Sequence, residues 1–204
     1  MKILRLNKGI EEKIKEAARI LREGGLVVYP TDTLYGLGAN ALDEKAVERV
    51  FKVKKRPFSK PLPIAVNSLE MMRRYALVNE RAECLAERFL PGAVTLVLNK
   101  RDIPDVLTAG SEKVAIRIPK HEVALKLIEF AGSPITTTSA NLTGMIPPIS
   151  VEEVVAQIKV DVILDGGRLG SRIPSTLVDI TGEPKILREG KIKREEIERV
   201  IGRK

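Results

Sequence analysis

The chain has 204 residues, with 35 Lys and Arg against 27 Asp and Glu, a formal net charge of +8, 44% hydrophobic and 30% charged residues. This composition suits one globular domain, or two small lobes around one core, and excludes a disordered chain. One Cys and one His exclude an intrachain disulfide and Cys-cluster or HExxH zinc chemistry, and no Trp with 3% aromatics argues against a base-stacking surface, whereas the charge points to nucleotides, nucleic acid or anionic lipid.

Residues 2–6 read as a strand. Residues 9–23 read as a helix, with Ile10, Ile14, Ala17, Ala18 and Leu21 at three- and four-residue steps and Gly24-Gly25 as its stop. Leu26-Val27-Val28-Tyr29 is a buried strand, followed by a polar loop over 31–42. Asp43 caps a helix reaching about Lys54, with Ala46, Val47, Val50 and Phe51 inward. A strand over 61–66 follows, then two helices capped by Ser68 and Asn79. Residues 93–98 and 113–118 are central strands, joined by a loop around Pro104 and Gly110. Pro119 precedes a helix over 121–131, and Pro134–Thr138 is a strand entering the loop 139–148. Ser150 caps a short helix. Residues 160–164 form a strand, 175–180 and 184–188 a hairpin around Thr181-Gly182, and 193–201 a charged helix.

Alternating strands and helices predict an α/β or α+β sheet with helices on its faces. No repeat or long linker divides the chain, so one domain over 1–204 is expected. No apolar run reaches the ~18–20 residues of a membrane helix. Met1-Lys2-Ile3-Leu4-Arg5 lacks a signal-peptide core. A soluble, cytoplasmic protein without a membrane partner is expected. Ligands are expected at the loops after strands, near 31–40, 139–148 and 165–175.

Three segments carry unusual chemistry. Between Arg49 and Lys60 lie six basic residues, and no acid occurs from Arg49 through Leu69, so this stretch holds +6 of the net +8. Such clustering repels itself unless an anion is present, although cations also suit a helix C-terminus. Pro30–Ala39 concentrates hydroxyls and glycines after a buried strand, with Gly36 and Gly38 able to admit a ligand close to the backbone. It is not a dinucleotide fingerprint, and a plain turn is the alternative. Thr136-Thr137-Thr138-Ser139-Ala140-Asn141 offers hydroxyl and amide contacts at a strand end, though consecutive Thr also suits a strand. Ser175-Thr176 repeats that offer beside Arg168 and Arg172. No Walker A pattern exists, so any nucleotide site is not a standard P-loop. His121 reads as a capping or surface residue, and Cys84 as a packed, unreactive thiol.

In combination the chain resembles the YrdC-type threonylcarbamoyl-AMP synthases. The match rests on Pro30–Leu37, Lys54-Lys55-Arg56-Pro57 with Lys60-Pro61-Leu62, Val114–Pro119, Ser139-Ala140-Asn141, and Ser175–Asp179 with Ile186–Gly190. The paired K-x-R and S-x-N motifs, Lys54/Arg56 and Ser139/Asn141, are the most specific part. The resemblance implies a twisted, open, mixed α/β sheet with a concave basic cavity. It implies that L-threonine, bicarbonate and ATP give threonylcarbamoyl-AMP and pyrophosphate. A downstream threonylcarbamoyl transferase complex would then modify tRNA, which this chain would touch only indirectly or weakly. By position, Thr33, Arg117, Thr137 and Ser175 would face threonine. Lys54, Arg56, Lys60, Ser139, Asn141 and Arg188 would face ATP, with Lys54 and Arg56 as the catalytic cations.

The chain departs from the pattern at three places. Many relatives have Asn where Lys60 stands, longer ones often have His at Ala65, and most have a small hydroxyl residue at Lys113. A second C-terminal domain found in some relatives is not expected here. No protein-held metal is expected: Asp32 is the one candidate ligand, and Mg2+ would arrive with ATP. Two alternatives stand beside this reading. Similar domains in hydrogenase-maturation proteins handle carbamoyl phosphate and ATP, but they carry zinc-finger and acylphosphatase regions. A non-catalytic RNA-binding module would use Lys and Arg alone, with a steep salt dependence.

Overall fold

The computed structural model describes residues 1–202. Strand β1 (Lys2–Arg5) leads to helix α1 (Ile10–Arg22), which buries Ile14, Ala17, Ala18 and Leu21; Ile10, at its first position, stays exposed. Gly24 ends α1 in the left-handed region, at φ 78°, where its N–H reaches Leu21 O and that of Gly25 reaches Ile20 O. Strands β2 (Val27–Tyr29) and β3 (Gly36–Gly38) precede α2 (Glu44–Lys54). Next come β4 (Ile64–Ala65), α3 (Leu69–Tyr75), β5 (Ala76–Leu77), α4 (Glu80–Phe89) and β6 (Val94–Lys100). Then follow α5 (Asp105–Thr108), β7 (Lys113–Arg117), α6 (Glu122–Ala131), β8 (Ile135–Thr136) and β9 (Thr138–Ser139). The chain continues through α7 (Val151–Val155), β10 (Val162–Asp165), β11 (Thr176–Asp179), β12 (Lys185–Arg188) and α8 (Arg194–Ile201).

The four expected caps all form. Asp43 accepts from the N–H groups of Lys45 and Ala46, Ser68 from Met71, Asn79 from Ala82 and Ser150 from Glu153. Each satisfies helix donors that would otherwise lack a partner.

The strands divide between two mixed sheets, ordered β1-β10-β2-β3-β9 and β12-β11-β6-β7-β4-β8, with β5 beside β6. The single strand expected over Pro134–Thr138 breaks at Thr137. Before the break β8 pairs with β4 in one sheet; after it β9 pairs with β3 in the other. Thr136, fully buried, stitches the crossing by accepting from Ala39 N and donating to Leu37 O. One core lies where α1 and α6 cover β2 and β10, through Ala17, Leu21, Leu127, Val27 and Leu164. A larger core joins Phe51 and Leu62 to Leu96, Ile116 and Ile163. Among the described residues no helix is long and apolar enough to cross a membrane.

Three local expectations change. The loop over 31–42 contains β3, which pairs antiparallel with β2, and the loop around Pro104 contains α5. Cys84 is exposed, because α4 buries Ala82, Leu85 and Ala86 and position 84 falls outside that face. Gly36 lines the cavity described below, and Gly36 and Gly38 also leave room for a neighbour, since a Cβ at either would stand 3.0 Å from the Tyr29 ring. A side chain at either position would press on that ring.

Candidate functional site

A cavity of about 580 Å³ opens on one face of the larger sheet. Period-two alternation builds its floor. β6 contributes Thr95 and Val97, β7 contributes Lys113, Ala115 and Arg117, and β11 contributes Leu177 and Asp179, with Ser175 just before it. The loop after β2 supplies Thr31 and Thr33, and the segment after α2 supplies Arg56 and Lys60. The break between β8 and β9 supplies Thr137, β9 supplies Ser139, and β12 supplies Arg188.

One end is a tight hydroxyl–guanidinium cluster. Thr31 Oγ1 donates to Leu34 O at 2.7 Å and accepts from the N–H groups of Thr33 and Leu34, a turn that fixes the loop. Thr33 Oγ1 lies 3.1 Å from Thr31 Oγ1 and accepts from Arg117 Nη1 at 3.1 Å. Arg117 Nη2 donates to Asp32 Oδ1 at 2.6 Å and to Gly92 O at 3.0 Å. Arg117 is only 4% exposed, and its Nε has no partner among the described residues. Burial pushes its pKa down, and Asp32 opposes that shift. Across the floor, Thr95 Oγ1 and Ser175 Oγ are 2.7 Å apart.

The remaining cations surround this end. Arg188 Nη2 donates to Ser175 O at 3.0 Å, and burial together with the nearby Arg117 charge lowers its pKa. Arg56 braces its own loop by donating from Nε to Lys60 O and from Nη2 to Pro61 O. Lys113 Nζ donates to Asp179 Oδ2 at 3.0 Å. Burial raises the Asp179 carboxyl, but Thr181 and Lys113 outweigh it and hold its pKa below the ordinary value. Arg56, Lys60, Lys113, Arg117 and Arg188 thus face a cavity whose one lining acid among the described residues is Asp179. That balance suits a polyanion whose oxygens can take charge-assisted hydrogen bonds.

Eight of the ten residues proposed from sequence line this one cavity: Thr33, Arg56, Lys60, Arg117, Thr137, Ser139, Ser175 and Arg188. Lys54 and Asn141 stand behind the wall. Lys54 is 2% exposed, and its Nζ donates to Ser139 O and, at 2.8 Å, to Asn141 O. Burial, reinforced by the Arg56 charge, pushes its pKa down to about 7. Asn141 Nδ2 donates to Leu142 O and Met145 O.

The basic stretch from Arg49 to Lys60 is not one wall. Arg49 pairs with Asp161 and Lys52 with Glu48, because helical phase turns them away from the residues beyond the end of α2. Only Arg56 and Lys60 of the six reach the cavity. Arg168 and Arg172 do not accompany Ser175; both lie near Glu153, Arg172 at 2.7 Å, and Arg188 takes the place beside Ser175. His121 holds the N-cap position of α6, but its side chain makes no cap bond.

Thr31, Thr95, Ser111 and Asp179 line the cavity without having been proposed from sequence. For Thr95 and Asp179 the signal was present in the alternation with Val97 and with Ser175 and Leu177. For a metal, the nearby carboxylates are already engaged: Asp179 by Lys113 and Thr181, Asp32 by Arg117 and Lys120 N. Among the described residues no group of three His, Cys, Asp or Glu side chains could hold an ion. The residues present therefore do not fit a protein-held metal.

The family model Sua5_yciO_yrdC, described as "Telomere recombination", matches residues 19–190. A threonylcarbamoyl-AMP synthase of Pyrococcus abyssi is 48% identical over 98% of this chain and 61% of its own length. A putative threonylcarbamoyl-AMP synthase of Methanocaldococcus jannaschii is 38% identical over 94% of both chains. The crystal structure of P. abyssi Sua5 complexed with L-threonine superposes with a TM-score of 0.94 at 47% identity, covering 98% of this chain and 60% of that one. The chain thus spans about three fifths of the P. abyssi relative.

Proposed function

The chain belongs to the Sua5/YciO/YrdC family, and from that premise we propose that it forms threonylcarbamoyl-AMP and pyrophosphate from L-threonine, bicarbonate and ATP. One observation carries the reading. A single cavity joins a buried hydroxyl–guanidinium end, able to hydrogen-bond a small polar amino acid, to a set of cations suited to a triphosphate. The L-threonine complex of the P. abyssi protein supports assigning the first end to threonine.

In this reading Thr33, Arg117, Thr137 and Ser175 hold threonine, while Arg56, Lys60, Ser139 and Arg188 hold the nucleotide. The threonine amine attacks CO2 derived from bicarbonate, losing a proton and forming an N-carboxylate. A carboxylate oxygen then bonds to the α-phosphorus of ATP as the bond from that phosphorus to the bridging oxygen breaks. Pyrophosphate carries away the electron pair. No protein nucleophile is needed, so the task of the chain is alignment and neutralisation of charge on the phosphate oxygens. A donor matched to such developing charge is worth about 2.7–4 kcal/mol.

Mg2+ would enter only as part of the ATP substrate, where it would supply counter-charge for the phosphates. The product is an activated acyl group, so a transferase that modifies tRNA consumes it. We place the reaction in the cytoplasm and class the enzyme as a nucleotidyltransferase.

The test is to incubate the purified chain with ATP, L-threonine and bicarbonate and to follow pyrophosphate and the adenylate. Release is expected to require both threonine and bicarbonate. Pyrophosphate release that ignores threonine overturns the assignment.

A further inference from the structure

The two paired motifs each contain one residue on the cavity and one behind it. Arg56 and Ser139 line the cavity, whereas Lys54 and Asn141 are buried in the layer beneath. Lys54 is the last residue of α2, and three bonds tie it to the segment 139–143. Its Nζ meets Ser139 O and Asn141 O, the carbonyls on either side of the fully buried Ala140. Its own carbonyl accepts from Thr143 N at 2.8 Å. No carboxylate pairs with Lys54 among the described residues, so the ordinary reason for burying a lysine is missing.

A hydrogen-bonding reason replaces it. Carbonyls turned into the protein need donors, and a compact amine on a long stem can reach two at once. The residue is 2% exposed and does not line the cavity, so its amine is committed to segment 139–143. Ser139, the cavity-facing hydroxyl of that segment, has its own carbonyl pinned by the same amine.

We infer that Lys54 is a positioning residue: it straps segment 139–143 to the end of α2 and acts on the nucleotide through Ser139, while Arg56 and Ser139 make the contacts. This rests on the adenylate-forming reading above. Asn141 completes the strap from inside the segment, closing its turn onto Leu142 O and Met145 O.

The test compares Lys54→Met, which removes the donors, with Lys54→Gln, which keeps a neutral donor, each alone and combined with Ser139→Ala. Lys54→Met is expected to raise KM for ATP about tenfold or more, as the loss of two buried hydrogen bonds implies, with KM for L-threonine within about twofold. Lys54→Gln should recover part of that loss. The Lys54→Met/Ser139→Ala double variant should be no worse than the poorer single variant, because both changes disable one unit. Amide exchange at Asn141 and Thr143 should accelerate in Lys54→Met while α6 stays protected. Additive losses, or equal losses in Met and Gln with unchanged exchange, mean direct phosphate contact and overturn the proposal. If Lys54→Met does not fold, Lys54→Gln supplies the cycle and the exchange measurement. If the wild-type chain makes no adenylate, the functional reading falls, and amide exchange still decides the strap.

Discussion

Arg117 and Asp32 form a nearly buried ion pair, Nη2 to Oδ1 at 2.6 Å, with side chains 5% and 12% exposed. Asp32 also accepts from Lys120 N, and Arg117 also holds Thr33. One pair therefore joins three segments: the loop after β2, the end of β7 and the approach to α6. Removing one partner strands the other charge in a place with little water.

Asp32→Ala should accordingly destabilise the fold by about 3–5 kcal/mol, the usual cost of orphaning a buried charge. Denaturant unfolding measures it. A loss below 1 kcal/mol would show that water reaches Arg117 and screens it.

Thr33→Val removes the hydroxyl that accepts from Arg117 but keeps the side-chain volume. KM for L-threonine should rise about tenfold or more, because a buried donor loses its acceptor at the amino-acid end. KM for ATP should hold. Thr33→Ser should recover most of the affinity. Steady-state kinetics with each substrate varied in turn reads both, and a matched rise for ATP would contradict the division of the cavity.

Lys54 gives a pH dependence with a definite sign. Burial, with the Arg56 charge adding, brings its pKa from 10.5 to about 7. Between those values the unfolded chain holds a proton that the folded chain has released, so stability rises with pH across that window. Below about pH 7 both states hold it, and the full cost of burying the ammonium is present. The Tm of the wild type minus that of Lys54→Met should therefore increase from pH 7 to about pH 9.5. A flat or falling difference would mean that the ammonium stays charged. The neutral amine keeps two N–H donors, so the strap survives deprotonation.

Arg172 clasps the segment after β10 to α7. Its Nη1 donates to Pro147 O and its guanidinium meets Glu153 at 2.7 Å, while Ile149 N donates to the same carboxylate. The Arg172 bond, then that from Ile149, pulls the Glu153 pKa from 4.5 to about 2. The clasp is complete above about pH 4.5 and is lost as pH falls toward 2. Arg172→Ala should change global stability little, since the pair is exposed, yet speed proteolysis between 166 and 174. Unchanged cleavage rates there would show that Leu169 N on Ile149 O holds the segment unaided.

What the sequence determined by itself was local. Asp43, Ser68, Asn79 and Ser150 reach donors two or three residues away, so chain order alone places those caps. The α1 stripe and the hairpin around Thr181-Gly182 follow from periods that need no partner, and the motifs named eight residues that do line the cavity. Tertiary structure decided which member of each motif faces it. Lys54 finds its acceptors 85 and 87 residues away, and Arg117 finds Asp32 across 85. The break at Thr137, the Tyr29 ring against Gly36 and Gly38, and the loss of Arg172 to Glu153 are likewise contacts between distant segments. A Lys in sequence is a charge available to any anion. Once its stem is enclosed and two carbonyls hold its amine, the cost of baring those carbonyls keeps it inside.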